Sequence, residues 1–216
     1  MPLPLRVLLV DDHAIVRGGV RRLLEGAEVT CAEAGSGEEA YRLQAEFEPD
    51  VTLLDLSLAG IGGIETLRKI VARDADAKVL VFSMHDGTAF VQQALRAGAR
   101  GYVTKASAPD VLIEGIEAVA QGRRFLSHDV AQAVALSSVN EGDDPLAKLT
   151  PREFDLFRMF AEGRSTEDIA ALTNLSSKTV GNYQTIIRQK LDVQTPAELV
   201  HLALLHGVVS PARPRS

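Results

Sequence analysis

Arg6-Val7-Leu8-Leu9-Val10-Asp11-Asp12 is the stretch on which the fold turns. An unbroken apolar run ending on paired carboxylates is the pattern of a strand buried on both faces, with polar groups gathered at its carboxyl end. Similar short runs recur at Val29–Glu33, Asp50–Leu54, Lys78–Phe82 and Gly101–Val103, rich in β-branched and apolar residues. Amphipathic stretches begin near Ala14, Ser36, Gly63, Thr88 and Pro109. Five strands alternating with five helices predict a doubly wound α/β domain with a parallel sheet covered on both faces.

The polar residues fall at particular strand ends. Asp11 and Asp12 follow strand 1, Asp55 strand 3, Ser83 strand 4 and Lys105 strand 5, whereas strand 2 ends in Glu33-Ala34-Gly35. In the order 2-1-3-4-5 the four polar ends are neighbours and converge. Carboxylates crowded together need a cation, and oxygen-only ligands with no His or Cys nearby favour Mg²⁺ over zinc. Asp11, Asp12 and Asp55 would hold that ion. Asp55, the central carboxylate, is the expected nucleophile toward a phosphoryl group, with the Lys105 ammonium and the Ser83 hydroxyl available to its oxygens.

After residue 122 the grammar changes. Thr150-Pro151-Arg152-Glu153 and Thr195-Pro196-Ala197-Glu198 place Thr at N-cap, Pro at N1 and Glu at N3, and Ser165-Thr166-Glu167-Asp168 is a weaker version. With a start at Ser176 and a stop at Gly207, residues 147–212 read as a domain of four short helices. Residues 123–146 read as a linker, most clearly in the polar, turn-rich stretch from Ser137 to Pro145. In Thr179–Leu191 the apolar Val180, Tyr183, Ile187 and Leu191 recur at helical spacing. The opposite face carries Lys178, Gly181, Asn182, Thr185 and Arg188. Amide, hydroxyl and cationic donors without an acid suit a major groove, and the preceding helix and turn complete a helix-turn-helix. Lys178, Arg188 and Lys190 are expected at phosphates, and Asn182 and Thr185 at base edges.

Composition bounds these readings. The 216 residues are 46% hydrophobic and 24% charged, values of a globular chain rather than a disordered or coiled-coil one. The net charge is −6 overall, divided as −6 over residues 1–122, −2 over 123–146 and +2 over 147–216. A polycation that coats nucleic acid or lipid is excluded, and any DNA contact must be local. The single Cys31 excludes an intramolecular disulfide and points to a reducing compartment; it lies in an apolar run expected to be core. No run approaches the roughly 18 apolar residues of a membrane span, and the first residues lack a basic leader, so a cytoplasmic protein with no membrane partner is expected.

The first domain resembles the receiver domains of two-component response regulators over residues 5 to about 122. The resemblance rests on Asp11-Asp12, Leu53-Leu54-Asp55-Leu56, Ser83 and Gly101-Tyr102-Val103-Thr104-Lys105. It implies phosphorylation of Asp55 by a sensor histidine kinase, Mg²⁺ held by Asp11, Asp12, Asp55 and the Ser57 carbonyl, and phosphoryl contacts from Ser83 and Lys105. It also implies that Tyr102 is a switch aromatic. Leu58-Ala59 stands where relatives usually carry Met-Pro, leaving a loop without the fixed φ of proline.

Residues 147 to about 210 resemble the LuxR-type DNA-binding domain through Leu149-Thr150-Pro151-Arg152-Glu153, Ala161-Glu162-Gly163, Asp168-Ile169-Ala170, Ser177-Lys178-Thr179-Val180 and Leu191-Asp192-Val193. The combined layout is that of the NarL/FixJ regulators and implies a homodimer on double-stranded DNA, with Thr179 joining the contact residues. Gly181 departs from the longer polar side chain of many relatives. The expected protein is a phosphorylation-dependent transcription regulator whose phosphotransfer is directed only at itself, and hence no enzyme. Two rivals stand beside it: a phosphatase working through an aspartyl phosphate, and an adaptor whose last helices bind protein. The phosphatase of haloacid-dehalogenase type would want Asp-x-Asp after strand 1, which Asp11-Asp12-His13 does not supply.

Overall fold

The computed structural model describes residues 4–25, 29–139 and 144–209. The first part runs β1 (Leu5–Val10), α1 (Ala14–Leu24), β2 (Val29–Ala34), α2 (Gly37–Phe47), β3 (Val51–Leu54), α3 (Gly63–Arg73), β4 (Val79–Ser83), α4 (Thr88–Arg96), β5 (Gly101–Thr104) and α5 (Pro109–Ala120). All strands pair in parallel. Alternate residues of each central strand feed opposite cores. Val7, Leu9, Leu53, Leu80 and Val103 pack with Val20 and Leu24 of α1 and Leu112, Ile116 and Val119 of α5. Leu8, Val10, Leu54, Val79 and Val81 pack with Ile64, Leu67 and Ile70 of α3 and Phe90, Val91 and Ala94 of α4. This two-sided burial is why the strands read as continuous apolar runs.

Among the described residues the sheet has six strands, in the order β2-β1-β3-β4-β5-β6, where five were expected. The addition is β6 (Phe125–Leu126), paired through Gly101 and Tyr102 of β5 and followed by α6 (His128–Val139). Two residues are too few for a periodic signal, so this unit was hidden inside the expected linker. Asp129 in the first turn of α6 accepts a hydrogen bond from Thr104 Oγ1 at 3.0 Å, tying the unit to the end of β5. Of the polar stretch, residues 140–143 lie outside the described residues, as do residues 210–212 of the expected second domain.

After a short 3-10 turn (Pro145–Lys148) come α7 (Pro151–Ala161), α8 (Thr166–Thr173), α9 (Ser177–Leu191) and α10 (Pro196–Leu205). Thr150 and Ser165 both form full capping boxes, with Glu153 and Asp168 respectively. The two parts share an apolar core. Phe90 of α4 meets the Phe154 ring of α7 edge-on at 5.2 Å, and Phe154 meets Phe157 at 6.3 Å. Gln93 of α4 donates to the Leu146 carbonyl at 2.7 Å across the same seam. Cys31 is half-buried and packs against the α1–α5 side of the sheet.

Candidate functional site

Register brings the polar strand ends together. Val10 pairs with Leu54, and the Asp55 amide donates to the Val10 carbonyl at 2.9 Å, so Asp11 and Asp55 leave adjacent strands side by side. Ser83 pairs with Thr104, and the Lys105 amide donates to the Ser83 carbonyl at 2.8 Å. Lys105 then reaches back over the sheet. Its Nζ donates to Asp11 Oδ2 at 2.6 Å and to Asp55 Oδ2 at 2.8 Å. Burial works against the ammonium charge, but hydrogen bonds to Asp11 and Asp55 outweigh it and raise the Lys105 pKa. Asp55 is 2% exposed, and its Oδ1 has no hydrogen-bond partner among the described residues.

Ligand atoms of Asp11, Asp12, His13 and Asp55 lie within 4.8 Å of one another. The expectation that no His lies nearby is corrected by His13, which follows Asp12 directly and places Nδ1 2.7 Å from Asp12 Oδ1. The three carboxylates, with an orphaned oxygen on buried Asp55 among the described residues, fit a hard cation taking oxygen ligands and keeping several waters. Ser57 lies two residues past Asp55, half-buried, with its Oγ 3.3 Å from His85 Nε2. Ser83 is fully buried and accepts the His85 amide N–H at 3.3 Å. Tyr102 is also fully buried; its hydroxyl donates to the His85 carbonyl at 2.6 Å, and burial pushes its pKa upward.

Two neighbours of this pocket escaped sequence reasoning. Arg17 of α1 donates from Nη1 to the Asp11 carbonyl at 2.5 Å and from Nε to Glu33 Oε2 at 3.1 Å, bracing the acidic turn. His85 stacks on Phe90 at 3.9 Å and 7°, and burial, followed by the nearby Arg158 charge, lowers its pKa to about 4. Helical spacing does mark Arg17 as facing β2. No local signal marks His85, whose partners come from α4, α7 and the loop after β3.

The second candidate surface is the outer face of α9. Val180, Ile187 and Leu191 are buried and Tyr183 packs at the core edge, while Lys178, Asn182 and Thr185 are exposed, as the spacing requires. Thr179 is half-buried, its hydroxyl 2.8 Å from that of the N-cap Ser176. Arg188 is half-buried, with an unpartnered Nε. Lys190 departs from the expected phosphate role: its Nζ donates to Glu153 Oε1 and Oε2 at 2.9 and 2.7 Å. That ammonium fastens α9 to the capping box of α7, 37 residues away in sequence. At Gly181 an added Cβ would meet nothing within 4 Å, so packing inside the chain does not require glycine there. No helix among the described residues is long and apolar enough to cross a membrane.

A doubly wound sheet with an acidic pocket under a buried lysine, joined to a helix-turn-helix, defines a sensing domain coupled to a nucleic-acid-binding one. Comparison with known proteins makes the class specific. Residues 7–117 match the response regulator receiver domain family, and residues 147–203 match the luxR family of bacterial regulatory proteins. The chain is 38% identical over 209 residues to the response regulator UvrY of Escherichia coli, covering 94% of this chain and 95% of that one. A solved two-component response regulator of the LuxR family from Aurantimonas is 49% identical, covers 62% of this chain and 97% of its own, and superposes with a TM-score of 0.60. RcsB from Salmonella enterica serovar Typhimurium, solved on promoter rprA with the phosphomimetic BeF3-, is 26% identical over 92% of this chain and 97% of its own, with a TM-score of 0.69. The chain belongs to the two-component response regulators with a receiver domain and a LuxR-type helix-turn-helix domain, which are DNA-binding transcription regulators controlled by phosphorylation.

Proposed function

We propose that Asp55 is the phosphoacceptor of this regulator and that the face of α9 bearing Lys178, Asn182 and Thr185 reads its DNA. The observation that carries the first half is the Lys105 ammonium bridging Asp11 and Asp55 over the convergent strand ends. A Mg²⁺ ion held by Asp11, Asp12, Asp55 and the Ser57 carbonyl would neutralise the carboxylates and polarise the incoming phosphoryl oxygens. An Asp55 carboxylate oxygen attacks the phosphorus of a phosphohistidine on the sensor kinase. The P–O bond forms, the P–N bond breaks, and the departing imidazole takes up a proton. Lys105 and Ser83 then serve the oxygens of the acyl phosphate, and the buried Tyr102 and its hydrogen bond to the loop after β4 register the change.

This chemistry is directed at the chain's own side chain, so the protein is read as a switch rather than an enzyme. Its working compartment is the cytoplasm, where the kinase's phosphohistidine and the DNA are both met. The receiver domain spans residues 1–122 and the DNA-binding domain 147–212, with 123–146 as the connecting segment, now including β6 and α6. On DNA, Lys178 and Arg188 serve phosphates and Asn182 and Thr185 base edges, with Thr179 at the helix start. Lys190 serves mainly as the internal strut to Glu153. A homodimer on double-stranded DNA is supported by α10, where Leu205 is 69% exposed and Leu204 38%. Incubation with acetyl phosphate and Mg²⁺ followed by intact mass tests the reading: one phosphate increment is expected on the parent chain and none on Asp55→Asn. Full labelling of that variant would move the acceptor elsewhere.

A further inference from the structure

α7 carries a buried carboxylate that lies against the receiver domain. Asp155 is 1% exposed, and its Oδ2 has no hydrogen-bond partner among the described residues. It does not face its own domain's core. A Cβ built at Gly62 would lie 2.1 Å from Asp155 Oδ2 and 2.7 Å from Cγ, so the carboxyl group fills the space a side chain would occupy at the N-cap of α3. That N-cap has no side-chain hydrogen bond of its own. A carboxylate at a helix N-terminus opposes the positive end of the dipole, and here it comes from another domain. One turn earlier on α7, Arg152 Nη1 donates to the Ile61 carbonyl at 2.9 Å and also reaches the Gly60 carbonyl, at 3.5 Å, while Nη2 donates to Thr173 of α8.

The segment gripped in this way is the loop after Asp55. It contains Ala59 without proline's fixed φ, and Gly60 and Gly62 at φ 79° and 82°, so its own sequence restrains it weakly. Its far end is closely packed. A Cβ at Gly63 would lie 2.5 Å from the Asp55 carbonyl oxygen and 2.3 Å from Leu56 Cα, so the first residue of α3 is pressed against the phosphoacceptor backbone. A continuous line of close contacts thus runs from Asp155 through Gly62 and Gly63 to Asp55, with Ser57 on the intervening loop.

We propose that Arg152 and Asp155, on the first helix of the DNA-binding domain, are positioning residues for the phosphoacceptor loop of the receiver domain and set the affinity of its acidic pocket for a divalent cation. The proposal rests on the reading of that pocket given above. Neither side chain touches the cation. They hold the loop that presents Ser57 and the α3 end that backs Asp55, so releasing them lets the ligand set relax. By linkage, cation binding tightens the seating of α7 on the loop to the same degree.

The test uses the full chain carrying Arg152→Ala or the nearly isosteric Asp155→Asn. Mn²⁺ is titrated by electron paramagnetic resonance, and acetyl phosphate labelling is followed by intact mass across a Mg²⁺ series. Each variant is expected to weaken Mn²⁺ binding by about fivefold, the lower end of ordinary coupling between sites. The Mg²⁺ concentration for half-maximal labelling should rise in step, with the rate at saturating Mg²⁺ close to the parent's. Mn²⁺ isotherms that superpose on the parent's for both variants overturn the proposal, as does a lowered saturating rate with unchanged Mn²⁺ binding. Should Asp155→Asn not fold, Arg152→Ala, at a half-buried position, carries the same readouts. A parent chain that binds Mn²⁺ but takes no phosphate refutes the phosphoacceptor reading and leaves the Mn²⁺ comparison standing.

Discussion

The acidic pocket at the strand ends and the outer face of α9 each carry cations, in opposite states. Lys105 is 8% exposed at its side chain and committed to two carboxylates at 2.6 and 2.8 Å. Lys178, Asn182 and Thr185 are exposed, and the Thr185 hydroxyl donates back to the Gly181 carbonyl of its own helix at 3.1 Å. Low dielectric makes the first arrangement strong and intolerant of change, because removing one partner strands buried charge. High dielectric makes the second weak internally and free to exchange water for a ligand. The pocket proposed to do chemistry is built complete, whereas the face proposed to read DNA is left incomplete. Lys190 sharpens the contrast: it shares a helix with that open face, yet Glu153 occupies it.

The largest effect expected on the pocket side is all or none. Asp55→Asn should keep the fold and lose the phosphate mass increment entirely, because an amide oxygen is a far poorer nucleophile. An increment mapped to Asp11 or Asp12 in that variant would break the contrast at its root. Next comes the seam between the domains. Gly62→Ala places a methyl group on the Asp155 carboxylate at a backbone position of φ 82° and ψ 155° that only glycine adopts readily. Strain and overpacking together predict a loss of about 2–5 kcal/mol in denaturant unfolding. Adding Asp155→Ala should return part of it. Purely additive losses would mean that the two residues do not meet.

On the open face the effects are smaller and separable. Asn182→Ala should cost about 1–3 kcal/mol on the cognate site while sparing random DNA. Lys178→Ala should weaken both alike and reduce the magnitude of the salt slope by about 0.9. Equal losses on both DNAs for Asn182→Ala would remove its assignment to bases. Lys190→Ala offers the internal control: its main loss should be thermal stability rather than salt slope, and the reverse result would return it to the phosphate contacts.

The smallest effect is a pH dependence of domain seating. Burial pushes the Asp155 carboxyl from 3.8 up to about 7, against the opposing charges of Arg158 and Arg152 and the Glu65 amide. An acid with a raised pKa disfavours the seated state progressively as pH climbs from its free value to its buried one. Seating should therefore loosen as pH rises toward 7 and change no further above it. His85 works in the other sense: with its pKa lowered from 6.5 to about 4, protonation below 6.5 opposes the packed state, and the penalty is complete near 4. Protection of the α7 amides, with the base-catalysed intrinsic exchange rate divided out, should accordingly be highest on the acid side of neutrality and fall along an alkaline limb up to about pH 7, with that limb flattened in Asp155→Asn. An alkaline limb that survives in that variant would assign it to another group.

Much of this was legible because it is local. Alternation of apolar runs with amphipathic stretches prescribes a parallel sheet, and the strand ends prescribe where Asp11, Asp55, Ser83 and Lys105 gather. Thr150 and Thr195 announce their helices through capping chemistry completed within three residues. The sixth strand escaped because Phe125–Leu126 is too short to show a period.

The division follows from the range of the forces involved. Hydrophobic periodicity, caps and strand-end polarity are properties of neighbours along the chain, so the sequence by itself determined the two folds, the acidic pocket and the polar face of α9. Partners brought together by packing leave no such trace. In Pro151-Arg152-Glu153-Phe154-Asp155-Leu156-Phe157-Arg158, Asp155 looks like one more solvated helix residue. Only the tertiary structure decided that it is buried against Gly62, that Arg152 holds the Ile61 carbonyl and that Lys190 belongs to Glu153. The reason is physical: the energy of a buried or paired charge depends on its surroundings, and those are supplied by residues distant in the chain.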